Sequence, residues 1–367
     1  MDATATAKDG KASERAKRVP NTPWLLAVHD HRHMNSITPP KVAVLGTGGT
    51  IAGSGANNTQ YAGYRPAVTP VDELLLAIPA LRNVASLESE QVAQVASQNL
   101  GGATLLHLAR RVNHWLNETD CTGVVVTVGT NTLEETAYFL NLVVKSRKTV
   151  VVTGAMRPST SLSADGPMNL YRSVVAAASP LTAGLGVMVV MNDQIIAARD
   201  VHKMDTMTLD SFRAPVFGIL GWVVDSHVRL YKTPARTHTL DTVFNTTDMT
   251  TMPRVDIVVG HQDDTGVAVS ALVDAGAKGL VVAGAGTASL SDAMAEAVQG
   301  ATRRGVVVVR APRAATGIVM RNMEFDDSAH GTVAGDTLSP AKARVLLALS
   351  LAHGMQTEAV QAAFDRY

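Results

Sequence analysis

The sequence predicts an α/β protein with two α/β domains. The larger, N-terminal one is a doubly wound, mainly parallel sheet, and a smaller C-terminal one follows. Three observations carry this reading. From Lys41 onward, short Val-rich apolar runs alternate with segments of helical character. No hairpin signal joins consecutive runs, so parallel strands with helices on both faces are expected. Glycine- and threonine-rich loops follow two of the strongest runs, at the strand ends where open α/β sheets bind ligands. A length of 367 residues allows two domains, and 46% apolar with 17% charged residues suits a well-buried core. With only 4% aromatics, Val and Ala are left to fill the sheet.

Residues 1–40 read as a flexible extension. Its His29-Asp30-His31-Arg32-His33 segment invites a metal reading, because alternating imidazoles can converge on one ion. With no fourth ligand in view, a solvated polar tail is the simpler account. Val42–Leu45, Val124–Val128, Val150–Thr153 and Val187–Met191 read as buried strands, and helices are expected at 70–78, 102–117, 132–146 and 166–178. Thr132-x-x-Glu135 has the pattern of a capping box opening the third helix. The first domain is therefore placed at 41–230. Residues 231–254, around the Pro-containing and aperiodic Lys232–Thr239, read as a linker. A second series fills 255–367: strand Val255–Val259, helix 266–276, strand Leu280–Ala283, helix 291–304 and strand Val306–Arg310. Ser339-Pro340 then offers an N-cap with proline at the first helical position, leading a mostly apolar helix to Ala352.

Composition excludes several classes of function. Acidic and basic residues number 32 each, so no net field favours nucleic acid or an anionic membrane. No run approaches the roughly 20 apolar residues of a membrane span. The lone Cys121 excludes an intrachain disulfide framework. Residues 1–20 are polar, and the burst Trp24–Val28 falls short of the roughly 7 residues of a secretory h-region. A cytoplasmic protein is expected, with a periplasmic address as the alternative.

The glycine loop Gly46-Thr47-Gly48-Gly49-Thr50-Ile51-Ala52-Gly53 superficially suggests dinucleotide binding. That fingerprint requires a helix directly after the glycines, to face a pyrophosphate. Here the chain runs instead into Ser54–Pro66, too rich in Gly and Asn for a helix. The acidic Asp72 and Glu73 fall inside an expected helix rather than at a strand end. A strand-end threonine followed by a tyrosine-bearing loop is the better physical fit, since such a loop can close over a small ligand and exclude water. A threonine hydroxyl is a weak nucleophile without a partner. On local sequence alone, Thr50 as a simple turn cap remains the plainer account.

Longer motifs change the balance. Thr47–Gly53, Gly129-Thr130-x-Thr132-x-Glu134-Glu135-Thr136-Ala137, Gly154–Pro158 with Ala164-Asp165-Gly166-Pro167-x-Asn169-Leu170, Met191-Asn192-Asp193, Arg199-Asp200-Val201-x-Lys203 and Ala341–Leu347 occur in order. Together they resemble the bacterial type II L-asparaginases over about Lys41–Tyr367. The resemblance implies a homotetramer, arranged as a dimer of intimate dimers, that hydrolyses L-asparagine, and in some members L-glutamine, without metal or cofactor. It implies Thr50 as nucleophile, Tyr64 as lid tyrosine with Tyr61 as competitor, and Thr130 with Lys203 as a second catalytic pair. Ser97 and Gln98 are expected to hold the substrate's α-carboxylate and α-amino groups. Gly49, Gly129 and Ala155 are expected to line the pocket, and Glu324 to reach the site of a neighbouring copy.

One departure matters. Asn131 stands where the family pattern has an aspartate that receives the substrate's α-ammonium. Asparagine is nearly isosteric but neutral. Activity is therefore expected to be weaker, by roughly ten- to several-hundred-fold, than in the Asn131→Asp variant. Thr287-Ala288-Ser289 lies in a region whose variation the family links to glutamine acceptance, and the sequence leaves that ratio open. Two rivals remain: a catalytically impaired amino-acid-binding homologue and a nucleotide-binding α/β domain.

Overall fold

Val-rich runs become the buried strands of one eight-stranded sheet, and their alternation sets its layers. The computed structural model describes Met1 and residues 39–367; the extension with its His29–His33 segment lies outside the described residues. The large sheet contains β1 (Lys41–Gly48), β2 (Ser86–Val95), β3 (Gly123–Thr127), β4 (Thr149–Thr153), β5 (Val187–Met191) and β6 (Gln194–Ala197). A two-stranded ribbon follows, β7 (His202–Lys203) with β8 (Phe212–Arg213). β9 (Gly221–Val224) and β10 (His227–Leu230) then rejoin the large sheet. Its order is β10-β9-β6-β5-β4-β3-β1-β2. Strands β5, β4, β3, β1 and β2 are mutually parallel, whereas β6, β9 and β10 pair antiparallel along one edge.

Helices cover both faces, as expected: α1 (Val71–Leu76) and α4 (Gly166–Ala178) on one, α2 (Gly102–Asn117) and α3 (Leu133–Val143) on the other. Successive strand side chains point to opposite faces. Ala43, Leu45, Val124, Val126, Val150 and Val152 therefore pack with α2 and α3. Val42, Val44, Val125 and Val151 pack with α1 and α4. Each such Val or Leu, fully buried, contributes about 1.5–3 kcal/mol.

A second sheet of four parallel strands comprises β11 (Val255–Val259), β12 (Gly279–Gly284), β13 (Val307–Pro312) and β14 (Thr332–Ala334). α5 (Val267–Asp274) and α6 (Asp292–Arg303) cover one face. α7 (Asp327–His330) precedes β14, and α8 (Pro340–Ala352) and α9 (Thr357–Arg366) close the chain. α8 packs against β12 and also against α3, so its apolar residues share one core with both sheets. Its start is the one expected: Ser339 Oγ accepts from the Lys342 backbone N–H, with proline at the first position.

Three expectations are corrected. Hairpins do occur: the β5–β6 turn places Asn192 and Asp193 at φ 48° and 70°, and Asp225 turns β9 into β10 at φ 53°. Asn and Asp tolerate this left-handed region better than other non-glycine residues, which makes tight turns accessible without glycine. The capping box does not form. Thr132 Oγ1 donates instead to the Ser97 carbonyl at 2.9 Å, and Glu135 pairs with Arg344 at 3.3 Å. The helix runs Leu133–Val143 rather than 132–146, because Val144 is extended and the Asn113 side chain captures the Lys145 N–H at 2.7 Å. The apolar run Val345–Leu349 is buried in the chain's own core.

Candidate active site

Topology puts both threonine loops at one place. From β1 the chain first adds β2 on one side, then crosses to add β3 on the other, so the strand order reverses at β1. Crevices at such switch points, beyond the carboxyl ends of the strands, are where open α/β sheets take ligands. Thr50 follows β1 and Thr130 follows β3, the neighbouring strand. Thr47 Oγ1 donates to the Thr127 carbonyl at 2.8 Å and ties the two strand ends together. Beyond that tie the loops touch through bare backbone. A Cβ on Gly49 would lie 2.2 Å from Gly129 Cα, and Gly49 has φ 80°. No side chain fits between the loops, which is why both positions need glycine.

Thr50 opens a single 3₁₀ turn, Thr50–Ala52, and no helix follows before α1. The pyrophosphate-facing helix of a dinucleotide site is therefore missing here, and Asp72 and Glu73 sit in α1. Thr50 is buried, and its Oγ1 lies 2.6 Å from the Tyr64 hydroxyl. The loop returns Tyr64 to this position through the Ser54–Arg65 bridge. The Tyr64 ring rests on Gly53, whose missing Cβ would meet it at 3.0 Å. Tyr61, its competitor, is 50% exposed.

A second pair lies on the β3 side. Lys203 Nζ donates to Thr130 Oγ1 at 3.0 Å and to Asn131 Oδ1 at 3.2 Å. Burial pushes the Lys203 ammonium below its ordinary value, and the nearby Glu134 carboxylate pulls it back up. Glu134 also accepts the Lys203 backbone N–H at 2.8 Å, fixing the ribbon that carries the lysine. From α8, the fully buried Lys342 donates to the Arg199 carbonyl at 2.7 Å and to that of Val201. The segment leading into Lys203 is thereby held from two elements.

Asn131 joins this pair to the Ser97–Gln98 turn, its Nδ2 donating to Gln98 Oε1 at 3.2 Å. Ser97 is buried and accepts the Thr132 N–H at 3.3 Å, while Gln98 is exposed. Ala155, buried just beyond β4, packs against Gly166. Its loop is set by Asp165, whose carboxylate accepts the N–H groups of Met156 at 2.9 Å and Arg157 at 3.0 Å. Asn169 adds donors and acceptors to Asp165, Gly154 and Asn192. Asp165, Asn169 and Glu134 were not among the expected site residues. Their signal was present, since all three lie inside the motifs quoted above, but nothing local marks a side chain whose partners are distant backbone.

Glu324 is not brought to the threonines by hydrogen bonding within this chain. It lies in the C-terminal part, accepting from Thr287 Oγ1 at 2.6 Å and Ser289 Oγ at 2.9 Å. Those two bonds hold its carboxyl below the ordinary range. The arrangement offers a hydroxyl paired with a phenol, a hydroxyl paired with an ammonium, and polar groups for a small zwitterion. It suits attack on a carboxyl derivative.

Comparison with known proteins identifies the family. Residues 41–236 match the family model described as "Asparaginase, N-terminal", and residues 254–364 that of the "Glutaminase/Asparaginase C-terminal domain". The chain is 43% identical over 328 residues to L-asparaginase 2 of Bacillus subtilis, covering 89% of this chain and 87% of that protein. It is 40% identical over 327 residues to the glutaminase-asparaginase of Pseudomonas fluorescens biotype A, covering 89% and 90%. The crystal structure of a probable cytoplasmic L-asparaginase from Campylobacter jejuni superposes with a TM-score of 0.87 at 40% identity, over 89% of this chain and all of that one. The chain belongs to the asparaginase family, among relatives of the bacterial type II enzymes.

Proposed function

We propose that this chain is an amidohydrolase that cleaves L-asparagine to L-aspartate and ammonia, accepting L-glutamine as a secondary substrate. Thr50 Oγ attacks the side-chain carboxamide carbon, and its proton leaves toward Tyr64 or the Thr130–Lys203 pair. The tetrahedral intermediate collapses as that proton passes to its nitrogen, releasing ammonia and leaving an acyl ester on Thr50. Water then hydrolyses that ester, releasing aspartate and restoring the hydroxyl. Backbone N–H groups of the glycine-rich loops stabilise the developing oxyanion. Ser97, Gln98 and Asn131 hold the substrate's α-groups, Gly49, Gly129 and Ala155 shape the floor, and Glu324 of a neighbouring copy completes the pocket.

The observation that carries this reading is the pairing of two buried threonines at one switch point, Thr50 with Tyr64 at 2.6 Å and Thr130 with Lys203 at 3.0 Å. The relatives' names support the substrate class, and the glutaminase-asparaginase relative supports the secondary one. We further place the functional form as a homotetramer of intimate dimers in the cytoplasm, with the chain divided at 41–230, 231–254 and 255–367. The assay is ammonia release from asparagine and glutamine. Thr50→Ala should lower turnover by at least about 10³-fold, the scale of losing a nucleophile. Undiminished deamidation by this variant would overturn the assignment.

A further inference from the structure

Among the described residues, Arg310 on β13 is the largest fully buried side chain, and it is charged. Its Nε and Nη2 reach the two carboxylate oxygens of Asp327, each at 2.7 Å. The remaining donors go to main chain: Nη1 to the carbonyls of Ala288 at 3.0 Å and Thr287 at 3.3 Å, and Nη2 to that of Met320 at 3.4 Å. The Phe325 ring lies 4.8 Å from the guanidinium carbon. Asp327 in turn accepts from Thr332 Oγ1 at 2.6 Å and from the Asn322 N–H at 2.9 Å. Burial pushes the Asp327 carboxyl up, but bonds from Arg310, Thr332 and Asn322 leave it below its ordinary value.

Stability alone does not explain such a pair. Desolvating two charges costs about what their attraction returns, and apolar residues of the same volume often serve as well. What apolar residues cannot supply is a fork of directed donors. Here the fork ties residues 287–288 to the stretch 320–327. Those two stretches carry Thr287, Ser289 and Glu324, whose side chains bond to one another across the gap.

We propose that Arg310 and Asp327 are positioning residues that fix Glu324, Thr287 and Ser289 for the substrate end of a neighbouring copy's pocket. This deepens the amidohydrolase reading and rests on it. Neither residue touches substrate; they act through the two loops.

The test compares the full-length protein with the double variant Arg310→Met/Asp327→Leu, which replaces the ion pair by apolar volume, and with Arg310→Lys, which keeps the charge and loses the fork. In both, KM for asparagine should rise at least about tenfold, the scale of one misplaced charged hydrogen bond, with kcat within about threefold. In a Glu324→Ala background, Arg310→Lys should raise KM no further. Hydrogen exchange read by mass spectrometry should quicken at 286–290 and 318–326 and stay unchanged in the large sheet. Unchanged KM and exchange in either folded variant overturns the proposal, as does an undiminished KM effect in the Glu324→Ala background. A wild-type protein that releases no ammonia refutes the amidohydrolase reading instead, and the exchange rates then decide the positioning claim by themselves.

Discussion

Replacing Asn131 by aspartate puts a carboxylate at the junction of the Lys203 pair and the Ser97–Gln98 turn, and the surroundings fix what should follow. Asn131 now accepts from Lys203 at 3.2 Å and donates to Gln98 at 3.2 Å. Aspartate keeps the first contact and charges it. It loses the second only until the Gln98 amide turns over to present its NH₂ group. The volume barely changes, so the fold should be indifferent. The substrate's α-ammonium gains a charged acceptor, and a hydrogen bond to a charged group contributes roughly 1.5–3 kcal/mol. At about 1.4 kcal/mol per tenfold, kcat/KM for asparagine should rise about 10- to 150-fold. The same carboxylate favours the protonated lysine, so any alkaline limb set by Lys203 should move to higher pH. Steady-state ammonia release for both proteins, over an asparagine series at several pH values, reads both effects. No gain in kcat/KM and no movement of the alkaline limb would refute the role assigned to position 131.

Two further outcomes follow from the scaffold. Gly49→Ala should destabilise by about 2–5 kcal/mol, combining overpacking against Gly129 with a left-handed alanine, and should lower activity with it. Gly101→Ala, whose Cβ meets nothing within 4 Å, is the control, and a wild-type urea midpoint for Gly49→Ala would count against the loop contact. The second outcome concerns Lys342, which burial pushes down to about 8. The unfolded chain, with an ordinary lysine value near 10.5, binds the extra proton between those limits. The penalty is therefore full below pH 8 and fades as pH rises to 10.5, giving stability that increases with pH by at most about 3 kcal/mol. Lys342→Met should lack this rise in unfolding free energy, and parallel pH curves for the two proteins would contradict it.

How much of this was legible beforehand depends on where the signal was local. The buried parallel strands announced themselves as continuous Val runs, and α8 by its Ser339-Pro340 start. β2 did not, because an edge strand with a partly exposed burial pattern lacks both a continuous apolar run and clean alternation. β6, β9 and β10 were missed because their turns use Asn192-Asp193 and Asp225 rather than glycine. The Thr132–Glu135 spacing pointed to a cap, yet tertiary partners took both side chains: Ser97 the first and Arg344 the second. Thr50, Tyr64, Thr130 and Lys203 were named from motifs, and the fold brings them together as two pairs. The supporting roles of Glu134, Asp165 and Asn169 depend on partners 69, 9 and 23 residues away, including main-chain groups, so no spacing rule reveals them.

The position of α8 has a mechanical consequence. Wedged between the small sheet and α3, it serves as a wall common to both halves of the chain. A clamshell that opens by swinging one half about a hinge would have to break that wall. The short excursion between Gly53 and Arg65 lies outside that wall: its tip at Asn57–Asn58 is solvent-facing, and it is held by the Ser54–Arg65 bridge and by bonds to Ser159, Thr160 and Leu162.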